Sequence, residues 1–188
     1  MRSRLFLACM CAALSVAFQA QAAETTRFQV TQDPSEVLDV QAKLVWKRCV
    51  EGMTWDGGTC QGKAQLLDHT QAQAVAKTAF EATRLPWRLP HVTELKRLID
   101  TTHSNPAIDP LLFPRTPAQW HWSASASVGA SGTFNPYNYG NIAQGRTPSS
   151  VNQMAFLHGW AVNFSNGESR GEVLKRTPMV VRLVRGAR

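Results

Sequence analysis

The sequence predicts a single α+β domain, and three observations predict it. Strand-like alternation occupies both ends of the chain, and two amphipathic helical stretches lie between them. Two cysteines follow an N-terminal stretch built like a secretory leader. The order of strands, two helices, an irregular connector and strands again is that of helices laid on an antiparallel sheet.

The leader comes first. Arg2 and Arg4 precede an apolar run over residues 5–18, and Ala20-Gln21-Ala22 is a small-x-small cleavage site. The run is shorter than the roughly 20 residues of a membrane span, and Cys9 and Cys11 do not follow a lipoprotein pattern. Residues 1–22 are therefore expected to be a signal peptide, and residues 23–188 one exported domain, periplasmic or extracellular. No later segment is apolar enough to span a bilayer, so the mature chain is expected to be soluble.

Cys49 and Cys60 remain, and in an oxidising compartment the expected state is a disulfide. Two free thiols suit such a compartment poorly, and no accompanying CxxC or HxxxH pair suggests zinc. Closing a loop of this length stabilises by about 3 kcal/mol on the chain-entropy account.

Residues 28–49 read as strands, with Phe28/Val30 and Leu44/Trp46 alternating with polar neighbours. A hairpin turn is expected near Gln41-Ala42. Residues 51–62, rich in Gly and Thr, read as a loop. The first helix is expected to open with Thr70 and Gln73 as a capping box, with Ala72, Val75, Ala76, Ala79 and Phe80 forming one apolar stripe. The second follows Pro90, with Val92, Leu95, Leu98 and Ile99 inward and Glu94, Lys96, Arg97 and Asp100 outward. It is expected to stop before Asn105-Pro106, because the residue ahead of proline is pushed out of helical space.

Residues 105–117 hold four prolines and read as an ordered, irregular connector. Residues 124–152 are rich in Ser, Gly and Asn, with Arg146 their single charge, and carry Phe134, Tyr137 and Tyr139. A stretch this long and polar is expected to be functional or unstructured. Trp160, Val162 and Phe164 then alternate up to Asn166-Gly167, a strong hairpin-turn signal. Val180, Val181, Leu183 and Val184 predict a last strand, in one sheet with the first.

The formal charge is +7, and Arg170, Lys175, Arg176, Arg182, Arg185 and Arg188 crowd the last 19 residues against one acid, Glu172. Such an excess attracts polyanions. For an exported chain that means an acidic polysaccharide or a negatively charged surface rather than nucleic acid. The plainer alternative is that these cations are solvated residues on strand edges.

Signatures of chemistry are missing from the sequence. His69, His91, His103, His121 and His158 have no metal-ligand spacing, and there is no GxSxG elbow or phosphate-binding glycine loop. A Cys–His pair needs reduced cysteines. No enzyme activity, cofactor or metal is expected.

One family shares several strings with this chain in the same order: Leu44-Val45-Trp46-Lys47-Arg48-Cys49 with Cys60-Gln61-Gly62, and Trp87-Arg88-Leu89-Pro90 with Glu94-Leu95. Trp122-Ser123, Gly159-Trp160-Ala161-Val162-Asn163-Phe164 and Val181-Arg182-Leu183-Val184-Arg185 complete the set. From Phe28 to Arg185 the chain resembles the Lcl C-terminal domain family, the domain that ends a bacterial collagen-like adhesin. The resemblance implies a C-type-lectin-like fold, two helices packed on a small twisted antiparallel sheet with long loops, distantly similar to formylglycine-generating enzymes. The cysteines of a formylglycine-generating site are not matched, and neither are the calcium-dependent sugar motifs of true C-type lectins. His91 stands where the family motif usually has Thr, and the stretch 124–152 looks longer than in typical members. Arg88 is expected to pair with Glu94, and Trp46, Trp122 and Trp160 to be core aromatics.

The functional expectation is an exported, non-enzymatic binding or adhesion module. Lys175, Arg176, Arg182 and Arg185 would meet an anionic polysaccharide, with Phe134, Tyr137 and Tyr139 offering aromatic faces. The alternative is an accessory subunit of an envelope or surface-appendage assembly, using the same loop against a protein.

Overall fold

One strand of this protein hides both of its faces. The computed structural model describes residues 26–126 and 157–187, and β3 (Leu44–Lys47) is central to its first sheet, ordered β1-β2-β3-β9. The other members are β1 (Phe28–Val30), β2 (Glu36–Asp39) and β9 (Val184–Gly186), all antiparallel to their neighbours. Successive side chains of a strand point to opposite faces. Leu44 and Trp46 therefore join one cluster with Val37, Leu95, Ile108, Phe113 and Val184, while Val45 joins another with Leu67, Ala72, Trp87, Trp122 and Leu183. Truncating a fully buried tryptophan such as Trp46 costs about 3–5 kcal/mol.

The hairpin between β2 and β3 turns where the sequence places it, with Asp39 opposite Leu44 and Lys43 at φ 54°. Asp39 is fully buried beside this turn. Burial works to raise its carboxyl, but hydrogen bonds from Arg27, the Ala42 amide and Arg97 outweigh it and hold the group below the usual carboxylate range. Arg97 is thus a partner of the core rather than an outward residue of the second helix.

The run 179–184 departs from the expected strand. Only β9 pairs as a strand at the C-terminus, so first and last strands share a sheet but are not neighbours. Residues 179–183 are threaded between elements. Met179 exchanges hydrogen bonds with Leu67, Val180 bonds Trp120 and Trp122, Val181 accepts from Glu51, and Leu183 from Lys47. Alternation still holds along this run, sending Val181 and Leu183 to one cluster and Val184 to the other.

A three-stranded sheet, β6-β7-β8, holds β6 (Trp120–Ala126), β7 (His158–Asn163) and β8 (Ser169–Leu174). β6 includes residues 124–126, so the long polar stretch begins later than the composition suggests; residues 127–156 lie outside the described part of the chain. Asn166-Gly167 does form a hairpin turn, but its second strand is β8 rather than the apolar run at 180–184. Gly167 is required there: it sits at φ 78°, and a Cβ would lie 2.8 Å from the Ile99 side chain. The remaining hairpin pairs β4 (Met53–Trp55) with β5 (Cys60–Gly62) beside the Cys49–Cys60 disulfide. The strands among the described residues thus divide among three small sheets instead of the single sheet expected.

The N-cap of helix α1 (His69–Thr83) lies two residues before the expected Thr70. Asp68 is its N-cap, its carboxylate accepting from the Gln71 amide at 2.8 Å while the Gln71 side chain accepts from the Asp68 amide. Ala72 and Ala76 are buried in the core, but Phe80 is 44% exposed, so the stripe is narrower than its spacing suggests. Helix α2 (Val92–Lys96) is a single short turn and a half. Glu94 is not outward. It receives both Arg88 guanidinium nitrogens at 2.8 Å and the His91 amide at 2.7 Å, and these outweigh burial to lower its pKa. The cap hydroxyl absent at His91 comes from β6, where Ser125 Oγ accepts from the Val92 amide at 3.0 Å.

Candidate functional site

Where β8 ends, three segments are stitched together. The amide of His69, first residue of α1, donates to the carbonyl of Lys175 at 2.8 Å, and the Lys175 amide donates to the carbonyl of Leu157 at 2.8 Å. The turn 175–177 closes as Thr177 donates back to Leu174. The result is an open cleft of about 640 Å³ lined by Asp68, His69, Thr70, Gln73, Leu157, Leu174, Lys175 and Arg176.

Charge in this cleft is predominantly positive. Lys175 and Arg176 stand against one carboxylate, Asp68, which is committed to capping α1. The N-terminus of α1 adds roughly half a positive charge from its aligned peptide dipoles. His69 is buried against Trp122, with ring centroids 5.2 Å apart and edge to face. Burial lowers its pKa, and its Nε2 lies 3.2 Å from the Ser123 carbonyl, so the neutral ring donates from Nε2. Leu157 and Leu174, 47% and 37% exposed, give the rim an apolar edge. Such an arrangement can hold an anionic group through the cations at its opening, each contact worth about 1 kcal/mol or less.

The four basic residues expected to act together do not. Lys175 and Arg176 line the cleft, whereas Arg182 is fully buried. Its Nη1 donates to the carbonyls of Lys47, at 2.7 Å, and Arg48, and its Nη2 donates to Thr116 Oγ1 at 2.6 Å. The guanidinium lies 4.9 Å from the centre of the Phe113 ring. Arg182 is therefore a structural arginine with no face toward a ligand. Apolar alternation around it sends its side chain inward, and backbone carbonyls replace the water it loses. Arg185 is also largely spoken for, its Nη2 2.6 Å from Glu36 Oε2 and its guanidinium over the Trp87 ring. Phe134, Tyr137 and Tyr139 lie outside the described residues.

Trp160 is a second correction. Trp46 and Trp122 are fully buried as expected, but Trp160 is half-buried and lies over Gly171, where a Cβ would come within 2.6 Å of its ring. The glycine on β8 makes room for the indole outside both core clusters.

Sequence reasoning missed Asp68, His69, Thr70 and Gln73 as neighbours of Lys175 and Arg176. Reading Asp68-x-x-Gln71 as the cap would have placed the start of α1, but nothing local says which strand end meets it. Among the described residues, no group of three or more His, Cys, Asp or Glu is placed to hold a metal, and no helix is long and apolar enough to cross a membrane.

No curated protein and no solved structure matches this chain. The family model of the Lcl C-terminal domain matches residues 35–185, from the start of the β2–β3 hairpin to β9, and the chain belongs to that adhesin-associated family.

Proposed function

We propose that this protein is an exported, non-enzymatic adhesion module that holds an acidic polysaccharide at the cleft between α1 and the end of β8. The observation that carries this reading is the convergence of Lys175, Arg176 and the N-terminus of α1 on one open cleft. Membership of an adhesin-associated family supports it, as does the Cys49–Cys60 disulfide, which suits an exported chain. In this reading residues 1–22 are removed as a signal peptide, and residues 23–188 form one C-type-lectin-like domain in the periplasm or outside the cell. No cofactor takes part. The imidazole lining the cleft, His69, is held neutral against Trp122 and serves packing rather than proton transfer.

Two cations at an open cleft give weak single-site affinity, so retention on a surface depends on several copies or a repeating polymer. The test is heparin retention across a salt gradient for the wild type and a Lys175→Ala/Arg176→Ala variant. Earlier elution of the folded variant is the expected result, and identical elution removes the cleft from the mechanism. The exposed leucines of the rim favour a second reading, an envelope-protein partner docked over Leu157 and Leu174. A pull-down from the native envelope that survives high salt and fails with Leu157→Asp/Leu174→Asp would select it.

A further inference from the structure

A groove of about 520 Å³ lies away from the basic cleft, between the β2–β3 hairpin and the disulfide-linked β4–β5 hairpin. Its wall includes Asp33, Glu36, Lys47, Glu51, Trp55 and Trp87, with the Cys49 end of the disulfide. The polar side chains are held in place by partners. Glu36 is 2.6 Å from Arg185, and Glu51 is 3.3 Å from Lys47 Nζ. Trp55 is held by Arg48, whose guanidinium is 3.9 Å from the ring centre and is itself tied to the carbonyls of Pro34, Leu111 and Leu112. Lys47 and Arg185 both lie over the Trp87 ring.

We infer that this groove is a binding site for a neutral saccharide, distinct from the basic cleft and independent of it. Three carboxylates against one lysine on the wall disfavour a polyanion. Glu36 and Glu51 already have their own cations, so the groove does not call for a positively charged guest either. What remains available is a fixed set of carboxylate acceptors, an ammonium and the Thr54 hydroxyl, the Ser35 and Thr83 hydroxyls already donating to Asp33 and to the Ala79 carbonyl, beside the partly exposed Trp55. Sugar hydroxyls both donate and accept, and the C–H face of a pyranose packs on an indole. The volume is that of small-ligand sites, about 300–1,000 Å³ with a few convergent polar groups. Side chains fixed by ion pairs lose little freedom on binding, which favours affinity.

The experiment titrates the full chain with chitohexaose and with cellohexaose, followed by tryptophan fluorescence and by calorimetry at low and high salt. Expected is saturable binding of at least one probe that is insensitive to salt. It should weaken about tenfold in Trp55→Ala, the loss of one stacked contact. Because Trp55→Ala also removes the partner of Arg48, Glu51→Gln on the groove wall reports separately and should weaken the same binding. Lys175→Ala/Arg176→Ala should leave it unchanged. Absence of saturable binding by both probes overturns the inference, as does binding that ignores Trp55→Ala and Glu51→Gln, or binding lost with the Lys175/Arg176 pair. None of these outcomes alters heparin retention, so the two sites fail separately.

Discussion

Arg176 and Arg182 are six positions apart in one basic stretch, and the fold uses them in opposite ways. Arg176 stands exposed on an open cleft beside the start of α1. Arg182 is enclosed, its charge met by two backbone carbonyls and a threonine hydroxyl, with no carboxylate among those partners. A charge taken out of water loses several kcal/mol of hydration, so it stays buried only where hydrogen-bond acceptors are already in position. The difference teaches that net charge along a sequence overstates the charge offered to a ligand, because the alternation of the surrounding apolar residues decides which cations face out.

The hardest break is a chain ending at Thr177. It removes Val180, Val181, Arg182, Leu183 and Val184, all fully buried, along with β9. The expected outcome in circular dichroism is loss of the cooperative thermal transition, and an unchanged midpoint would refute the threading of this run. Next in size, Arg182→Ala should destabilise by about 3–5 kcal/mol, since the buried carbonyls of Lys47 and Arg48 lose a donor. Arg176→Ala should shift stability by about 0.5 kcal/mol or less. Urea unfolding of the two variants measures the comparison directly, and equal losses would erase it.

Acid sharpens the same contrast between inside and outside. His121 is fully buried beside Phe164, its Nδ1 3.0 Å from the Gln119 carbonyl. Burial, with the Arg182 charge nearby, pushes its pKa down to about 3. Below the usual histidine value of about 6.5 the unfolded chain takes a proton that the folded chain refuses, so stability falls as pH falls. The slope approaches about 1.4 kcal/mol per pH unit between those two values. His69, lowered mainly by burial, acts in the same direction. Asp39 and Glu94, whose pKa values are lowered in the fold, add further losses once the medium enters the carboxylate range. Thermal midpoints from pH 7 to pH 5 should therefore drop in the wild type and drop less in His121→Asn. Equal slopes would mean that the imidazole is not buried neutral. Smallest in stability is the cleft rim, where Arg176→Ala should change heparin elution with almost no change in midpoint.

Several features of the fold are legible residue by residue. Cys49 and Cys60 are bonded as the leader-like N-terminus suggests, Arg88 meets Glu94 in two hydrogen bonds, and the β2–β3 hairpin turns beside Gln41-Ala42. Periodicity finds α1 and the alternation of β7. It misses β8, whose Ser-Arg-Gly-Glu-Val-Leu sequence is half-exposed at the edge of a sheet and carries little apolar signal. It overextends α2, because Leu98 and Ile99 keep an apolar spacing after the helical backbone has ended. Of the candidate ligand residues, Lys175 and Arg176 are brought together, Arg182 is withdrawn into the interior, and Arg185 is tied to Glu36.

By itself the sequence determined the α+β class, the cysteine pair, the turn at Asn166-Gly167 and the family, since each depends on residue types at short, fixed separations. Only the tertiary structure decided the depth of Arg182, the placement of Asp68 and His69 beside Lys175, and the division of the described strands into three sheets. Those depend on which faces are covered from both sides, and a pattern of alternating residues records two faces without recording what lies against each.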